Sequence, residues 1–282
     1  MSKIKIVVDS CSSITKEMAE KLNVFVIPMN FSVNNRDYLT TDEDLISHEE
    51  FYELLEDKHF SKTSCVNPND FIDAVRPFLE DGYDIAYISL SSGLSASHNN
   101  ALLAKQILSD EYDNQIEVFD TLTGSVGIYH MIHAVYDRIQ EGKDLTTIHN
   151  ELNKNQLKIV SLFTIGSLDH LRRGGRLSTF SAVVGKVLHI SPIITANELG
   201  KLESKEKHRG RKKAIKAMLN EALENAIPGS LITIGYTNCL DEAISIEEEL
   251  VSNGFVVEKA YIDHTMGSHC GPRTIALFYQ HK

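Results

Sequence analysis

Four stretches of this chain concentrate hydroxyl groups: Asp9-Ser10-Cys11-Ser12-Ser13, Thr63-Ser64, Ser91-Ser92-Gly93-Leu94-Ser95 and Thr121-Leu122-Thr123-Gly124-Ser125. Hydroxyls and free backbone N–H groups at helix starts suit an anion. Serine and threonine are also plain helix caps, so no single stretch decides between the two readings; their recurrence is what favours an anion site. Arg172-Arg173-Gly174-Gly175-Arg176 supplies cations. Paired glycines permit a tight, positive-φ turn that aims a guanidinium inward, and arginine forks naturally onto a carboxylate or phosphate. His269 lies in Gly267-Ser268-His269-Cys270-Gly271-Pro272, which reads as a Gly/Pro turn from which a histidine could donate to a bound acid. A solvated arginine loop and an ordinary surface histidine are the plain alternatives.

Other chemistries find less support. Gly93-Leu94-Ser95-Ala96-Ser97 begins like a nucleophile elbow but ends in serine where GxSxG needs glycine. A serine-dependent acyl hydrolase using Ser95 or Ser125 remains the enzymatic alternative. The strand-to-helix loops carry no GxGxxG, and the chain has no Walker A lysine motif. His130 and His133 are three apart, His48 precedes Glu49, and none forms HExxH, so neither a metal nor another cofactor is implied. The four cysteines form no CxxC and read as buried or loop thiols. Lys205-Glu206-Lys207-His208-Arg209-Gly210-Arg211-Lys212-Lys213 is a basic run that reads as the start of a helix, where the macrodipole disfavours cations. Such a placement hints at a docking surface for a phosphate or an acidic partner, against the default of solvated charge.

The elements that must position these groups follow from periodicity. Short strand patterns at 3–8, 24–29, 84–90 and 115–119 alternate with helical ones, including a capping-box start at Ser47-His48-Glu49-Glu50 and Asn67 followed by Pro68. That alternation predicts a three-layer α/β domain over residues 1–155 with a parallel sheet covered on both faces. From 157–165 onward, hairpin-linked strands at 190–195 and from 201, then strands at 230–236, 255–262 and 274–279, predict a two-layer α+β domain with a mixed sheet over 156–282. In parallel sheets ligands sit beyond the C-terminal strand ends, where the hydroxyl stretches fall. The 282 residues suffice for two domains. A net charge of −11 argues against nucleic acid as main partner. No apolar run nears the roughly 18 residues of a membrane span. Met1-Ser2-Lys3 runs straight into a strand, so a cytoplasmic protein is expected.

Together VVDSCSS, KTSCVNP, SLSSGLSAS, FDTLTGSVG, GSLDHLRRGGRLS, SPII…GKL, KHRGRKKA and GSHCGP resemble the DegV family of bacterial lipid-binding proteins. That family includes the fatty-acid-binding subunits of fatty acid kinase. The fragments run in order through the whole chain. The resemblance implies a DegV-like two-domain fold with a long-chain fatty acid in a buried tunnel and its carboxylate at the domain junction. By position it assigns the carboxylate to Thr63, Ser95, Arg176 and His269, with Ser64 and Ser92 nearby, and directs Arg209 toward the kinase. It further implies a non-catalytic protein that presents the acid to a separate ATP-dependent fatty acid kinase for acyl phosphate formation. Transient membrane contact is compatible with that role, as is a lipid carrier or sensor without a kinase. The chain departs from the family pattern at three places. An extra residue precedes Pro68, Ala96-Ser97 replaces a glycine-containing ending, and Arg273 stands where glycine is usual.

Overall fold

The computed structural model describes residues 3–154, 157–177 and 190–282. Val24–Ile27, Lys3–Asp9, Tyr83–Ser89 and Ile116–Asp120 form, in that order, an all-parallel sheet. Strand alternation sends successive side chains to opposite faces. Ile6, Val8, Ala86 and Ile88 pack with Ile132, Val135, Ile148 and Leu152 of the helices Tyr129–Gln140 and Leu145–Lys154. Val7, Ile85 and Tyr87 pack on the opposite side with Phe71 and Val75 of Pro68–Glu80 and with Ala101 and Ala104 of Ser97–Ser109. Asn67 caps Pro68–Glu80, as the sequence predicts, and Asp70 completes a capping box with it.

The second half builds a six-stranded mixed sheet ordered Leu202–Arg209, Ile190–Ala196, Ile159–Thr164, Ile275–Gln280, Leu231–Tyr236, Val256–Tyr261. Its last pair is parallel and the others are antiparallel. Leu162, Ile232, Ile234 and Leu277 bury beneath the helices Arg211–Asn225 and Leu240–Ser252. The other face turns Phe163, Ala276 and Phe278 into the apolar cluster of the parallel sheet. Burying each large side chain there contributes about 1.5–3 kcal/mol, and the two sheets share that gain. The boundary expected at 155 and 156 falls on residues outside those described.

Three expectations need correction. The strand expected over 24–29 ends at Ile27, and Asn30–Val33, Arg36–Leu39 and Lys62–Thr63 form a separate antiparallel sheet. Asn34 and Asn35, with φ of 51° and 58°, make its tight turn; two consecutive positive φ values are what a type I′ hairpin demands, and asparagine tolerates them. Only the last three residues of the basic run, Arg211-Lys212-Lys213, open a helix. The run's first five residues end the strand Leu202–Arg209, and helix begins only at Arg211, after Gly210 at φ 93°. His269 does not sit in a turn but in the last turn of a helix, His264–Cys270, capped by the Asp263 carboxylate. Gly271 closes that helix at φ 73°, ψ −177°, a conformation nearly exclusive to glycine. No helix among the described residues is long and apolar enough to cross a membrane.

Candidate functional site

A cavity of ≈ 400 Å³ lies between the two sheets. Its floor is the inner face of the mixed sheet, with Ser161 and Phe163 on one strand and their register partners Phe278 and Ala276 on the next. Leu90 and Leu94 from the end of the parallel sheet and Met266 of the capped helix enclose it.

Thr63, Ser64, Ser95, Arg176 and His269 all line this cavity. Thr63 Oγ1 and His269 Nε2 are 2.9 Å apart. His269 Nδ1 is buried without a hydrogen-bond partner among the described residues. It rests on Gly174, where an added Cβ would lie 2.3 Å from Nδ1. Orphaned buried N–H groups are rarer than orphaned acceptors, so the proton belongs on Nε2, which donates to Thr63 Oγ1. The Thr63 hydroxyl proton is then free for a ligand. Burial, and secondarily Arg176, push the His269 pKa down to about 4, so the ring is neutral near pH 7.

Arg176 is aimed by backbone. Its Nε donates to Leu94 O at 3.2 Å and Nη1 donates to Gly174 O. The paired glycines divide the work. Gly175 takes positive φ at 73°, while Gly174 serves by lacking a Cβ against His269. Ser95 Oγ accepts from Ser97 N at 3.2 Å and lies 3.0 Å from Ser97 Oγ. Ser97 Oγ also accepts from Val66 N at 3.2 Å, and Asn100 Nδ2 donates to Val66 O at 2.8 Å. Those two side chains tie the 63–66 segment to the 91–97 loop. Sequence reasoning missed Asn100, which has no motif, and met Ser97 only as a departure.

Ser92 falls outside the cavity lining: it is exposed, and its N–H donates to Asp120 at 3.1 Å. Its neighbour Ser91 is buried and donates to Gly200 O at 2.9 Å. Arg209 is exposed at its strand end, away from the cavity lining. Neither serine of the hydrolase alternative meets an imidazole among the described residues. Ser95 pairs with Ser97, and Ser125 Oγ lies 2.9 Å from Ser13 Oγ; a nucleophile without an adjacent base stays weak.

Behind the cavity sit two carboxylates, Asp9 buried and Asp263 half-buried. Asp9 accepts from Cys11 N at 3.0 Å and Tyr87 Oη at 2.8 Å. Asp263 accepts from Ser13 Oγ at 2.8 Å, from Thr265 Oγ1, and from the N–H groups of Thr265 and Met266. Burial raises both pKa values, that of Asp9 to about 6. No group of His, Cys, Asp and Glu among the described residues could hold a metal ion.

The family model described as an uncharacterised protein of the DegV family matches residues 3–282. A DegV domain-containing protein of Clostridium perfringens is 30% identical over 99% of this chain and 98% of its own length. A stearic-acid-binding protein from Eubacterium ventriosum superposes with TM-score 0.87 at 27% identity, over 99% of this chain and 98% of that one. The Fatty Acid Kinase (Fak) B3 protein of Streptococcus pneumoniae, loaded with linoleic acid, has TM-score 0.84 at 23% identity over 99% and 100% of the two chains. This last likeness is one of fold.

Proposed function

The chain belongs to the DegV family, and from that premise we propose that it binds a long-chain fatty acid and presents the carboxylate to a separate ATP-dependent fatty acid kinase, which forms the acyl phosphate. The acyl chain lies in the cavity between the sheets; the carboxylate meets Thr63, Ser95, Arg176 and His269, with Ser64 at the rim. One observation carries this reading: Thr63, from one half of the chain, bonds His269 from the other at 2.9 Å beside Arg176, at a cavity walled by Leu90, Leu94, Phe163 and Phe278. The Thr63 hydroxyl and the guanidinium offer donors with no competing anion among the described residues. Each buried methylene of the ligand contributes about 0.8 kcal/mol, so the tail supplies affinity and the polar mouth supplies orientation.

The ligand reading is supported by the Eubacterium ventriosum neighbour, which is a stearic-acid-binding protein. The kinase step draws on the fold shared with the Fak B3 protein and on the missing nucleotide motifs, which leave ATP to another chain. Exposed Arg209, followed by Arg211-Lys212-Lys213, is the docking residue. In this reading the protein is non-catalytic, works in the cytoplasm and divides at 155/156.

Denaturing the purified protein and measuring released acids by mass spectrometry tests the ligand. A bound or readily reloaded long-chain acid is expected; protein that is empty and refuses added acid sinks the proposal. Adding a fatty acid kinase and ATP should yield acyl phosphate. Arg209→Ala should lower that turnover while leaving lipid content unchanged.

A further inference from the structure

Three hydroxyl residues line the cavity away from the carboxylate-binding groups: Thr123, Ser125 and Ser161, each almost fully buried. Their hydrogen-bond inventory does not close. Thr123 Oγ1 and Ser161 Oγ are 2.8 Å apart, and among the described residues neither hydroxyl makes another hydrogen bond. Two hydroxyls carry two protons; one bridges the pair, and the other has no acceptor among the described residues. Ser125 is complementary. Ser13 donates its only proton to Asp263 Oδ2 at 2.8 Å, so the 2.9 Å contact between Ser125 and Ser13 must be donated by Ser125. Ser125 therefore offers lone pairs and no proton. A spare donor and a spare acceptor stand two residues apart on one wall that is otherwise largely apolar.

Their depth follows from the strands. Thr274 Oγ1 donates to Cys270 O and Gly271 O, which fixes Thr274 at the His269 end of the cavity. Four residues further along, about 13 Å of strand, Phe278 stands in register with Ser161. Gly127 admits the Thr123 hydroxyl here, since a Cβ at that glycine would lie 2.6 Å from Oγ1. The polar pair therefore meets the middle of a long acyl chain and not the carbons beside its carboxylate.

We propose that this wall is a subsite for a hydroxyl group, and that the protein takes mid-chain hydroxylated fatty acids as well as, or in preference to, plain ones. A hydroxyl accepts the spare proton of the Thr123–Ser161 pair and donates to Ser125, closing the inventory in one contact. A ketone accepts the proton but turns a lone pair toward Ser125; a methylene closes neither. The inference rests on the fatty-acid reading and names its substrate class.

The test uses the full chain, stripped of lipid, in competition between octadecanoic acid and a hydroxyoctadecanoic acid with its hydroxyl at mid-chain. The 2-hydroxy isomer serves as control. The mid-chain hydroxy acid should bind at least as tightly as octadecanoic acid, although its hydroxyl is more costly to remove from water. Thr123→Val/Ser161→Ala should weaken it about tenfold relative to octadecanoic acid. Ser161→Ala alone provides the same comparison should the double variant not fold. If octadecanoic acid binds and the mid-chain hydroxy acid is rejected, or if the substitutions leave the ratio unchanged, the pair holds only a water and the inference is overturned while the fatty-acid reading stands. Refusal of every acid overturns both.

Discussion

The mouth of the cavity and the polar network behind it both use hydroxyls, yet they are opposite in hydrogen-bond balance. At Asp263 the carboxylate meets Ser13, Thr265 and two backbone N–H groups, and at Asp9 it meets Cys11 N and Tyr87. These anions are satisfied by neutral donors. At the mouth, Arg176 is steered by two carbonyls and His269 by Thr63, and donors remain with no acceptor among the described residues. A network that closes on itself fixes the fold; one that leaves donors over at a cavity is ready for a ligand.

The largest test of that contrast is Asp9. Its carboxyl binds a proton up to about pH 6, against an ordinary value of 3.8, chiefly because burial disfavours the anion. The folded state thus binds the proton more tightly than the unfolded chain. The stabilisation is full below about pH 3.8 and is lost as the pH rises through about 6. Asp9→Asn removes that loss and should gain stability relative to the parent between pH 4 and pH 7, by a margin on the order of 3 kcal/mol. Denaturant midpoints at both ends of the window measure it. His269 acts in the opposite sense: held neutral down to about pH 4, it costs stability as the pH falls from its ordinary 6.5. A margin that shrank between pH 4 and pH 7 would show Asp9 ionised at little cost, and the closed network would lose its meaning.

Arg176→Ala comes next. Losing a charged donor to a carboxylate should weaken fatty acid binding by about 2 kcal/mol, roughly thirtyfold, with thermal stability nearly unchanged because the residue satisfies no buried anion among the described residues. A large drop in melting temperature with unaltered affinity would invert the comparison. Smaller again is Gly174→Ala. Its Cβ would collide with His269 Nδ1, displacing the imidazole from Thr63 and lowering affinity about tenfold, on the order of one lost hydrogen bond. Parental affinity in that variant would remove His269 from the mouth.

Much of this was legible in the primary structure. The parallel strands announce themselves through two-residue alternation and β-branched runs, and the Asn67-Pro68 start through cap chemistry, all of which are local. The family motifs brought Thr63, Ser95, Arg176 and His269 onto one list. The helix His264–Cys270 was hidden because its seven residues include Gly267, a poor helix former, and a second glycine, Gly271, ends it; it exists because Asp263 caps it and the core holds it. The 30–39 hairpin does leave a signal, Asn34-Asn35 between alternating residues. Arg273, at φ 56°, occupies a left-handed position that glycine takes without strain.

By itself the sequence determined the α/β alternation, the hydroxyl-rich strand ends and the family, because each depends on residues close together in the chain or on motifs in fixed order. Tertiary structure alone decided that Thr63 reaches His269, that Gly174 is needed for closeness where Gly175 is needed for its backbone angle, and that Ser92 stays outside. It also decided that Ser161 lies deep beside Thr123. Those facts depend on which faces of two sheets meet, and contacts across 38 to 206 residues leave no periodic trace in the order of amino acids.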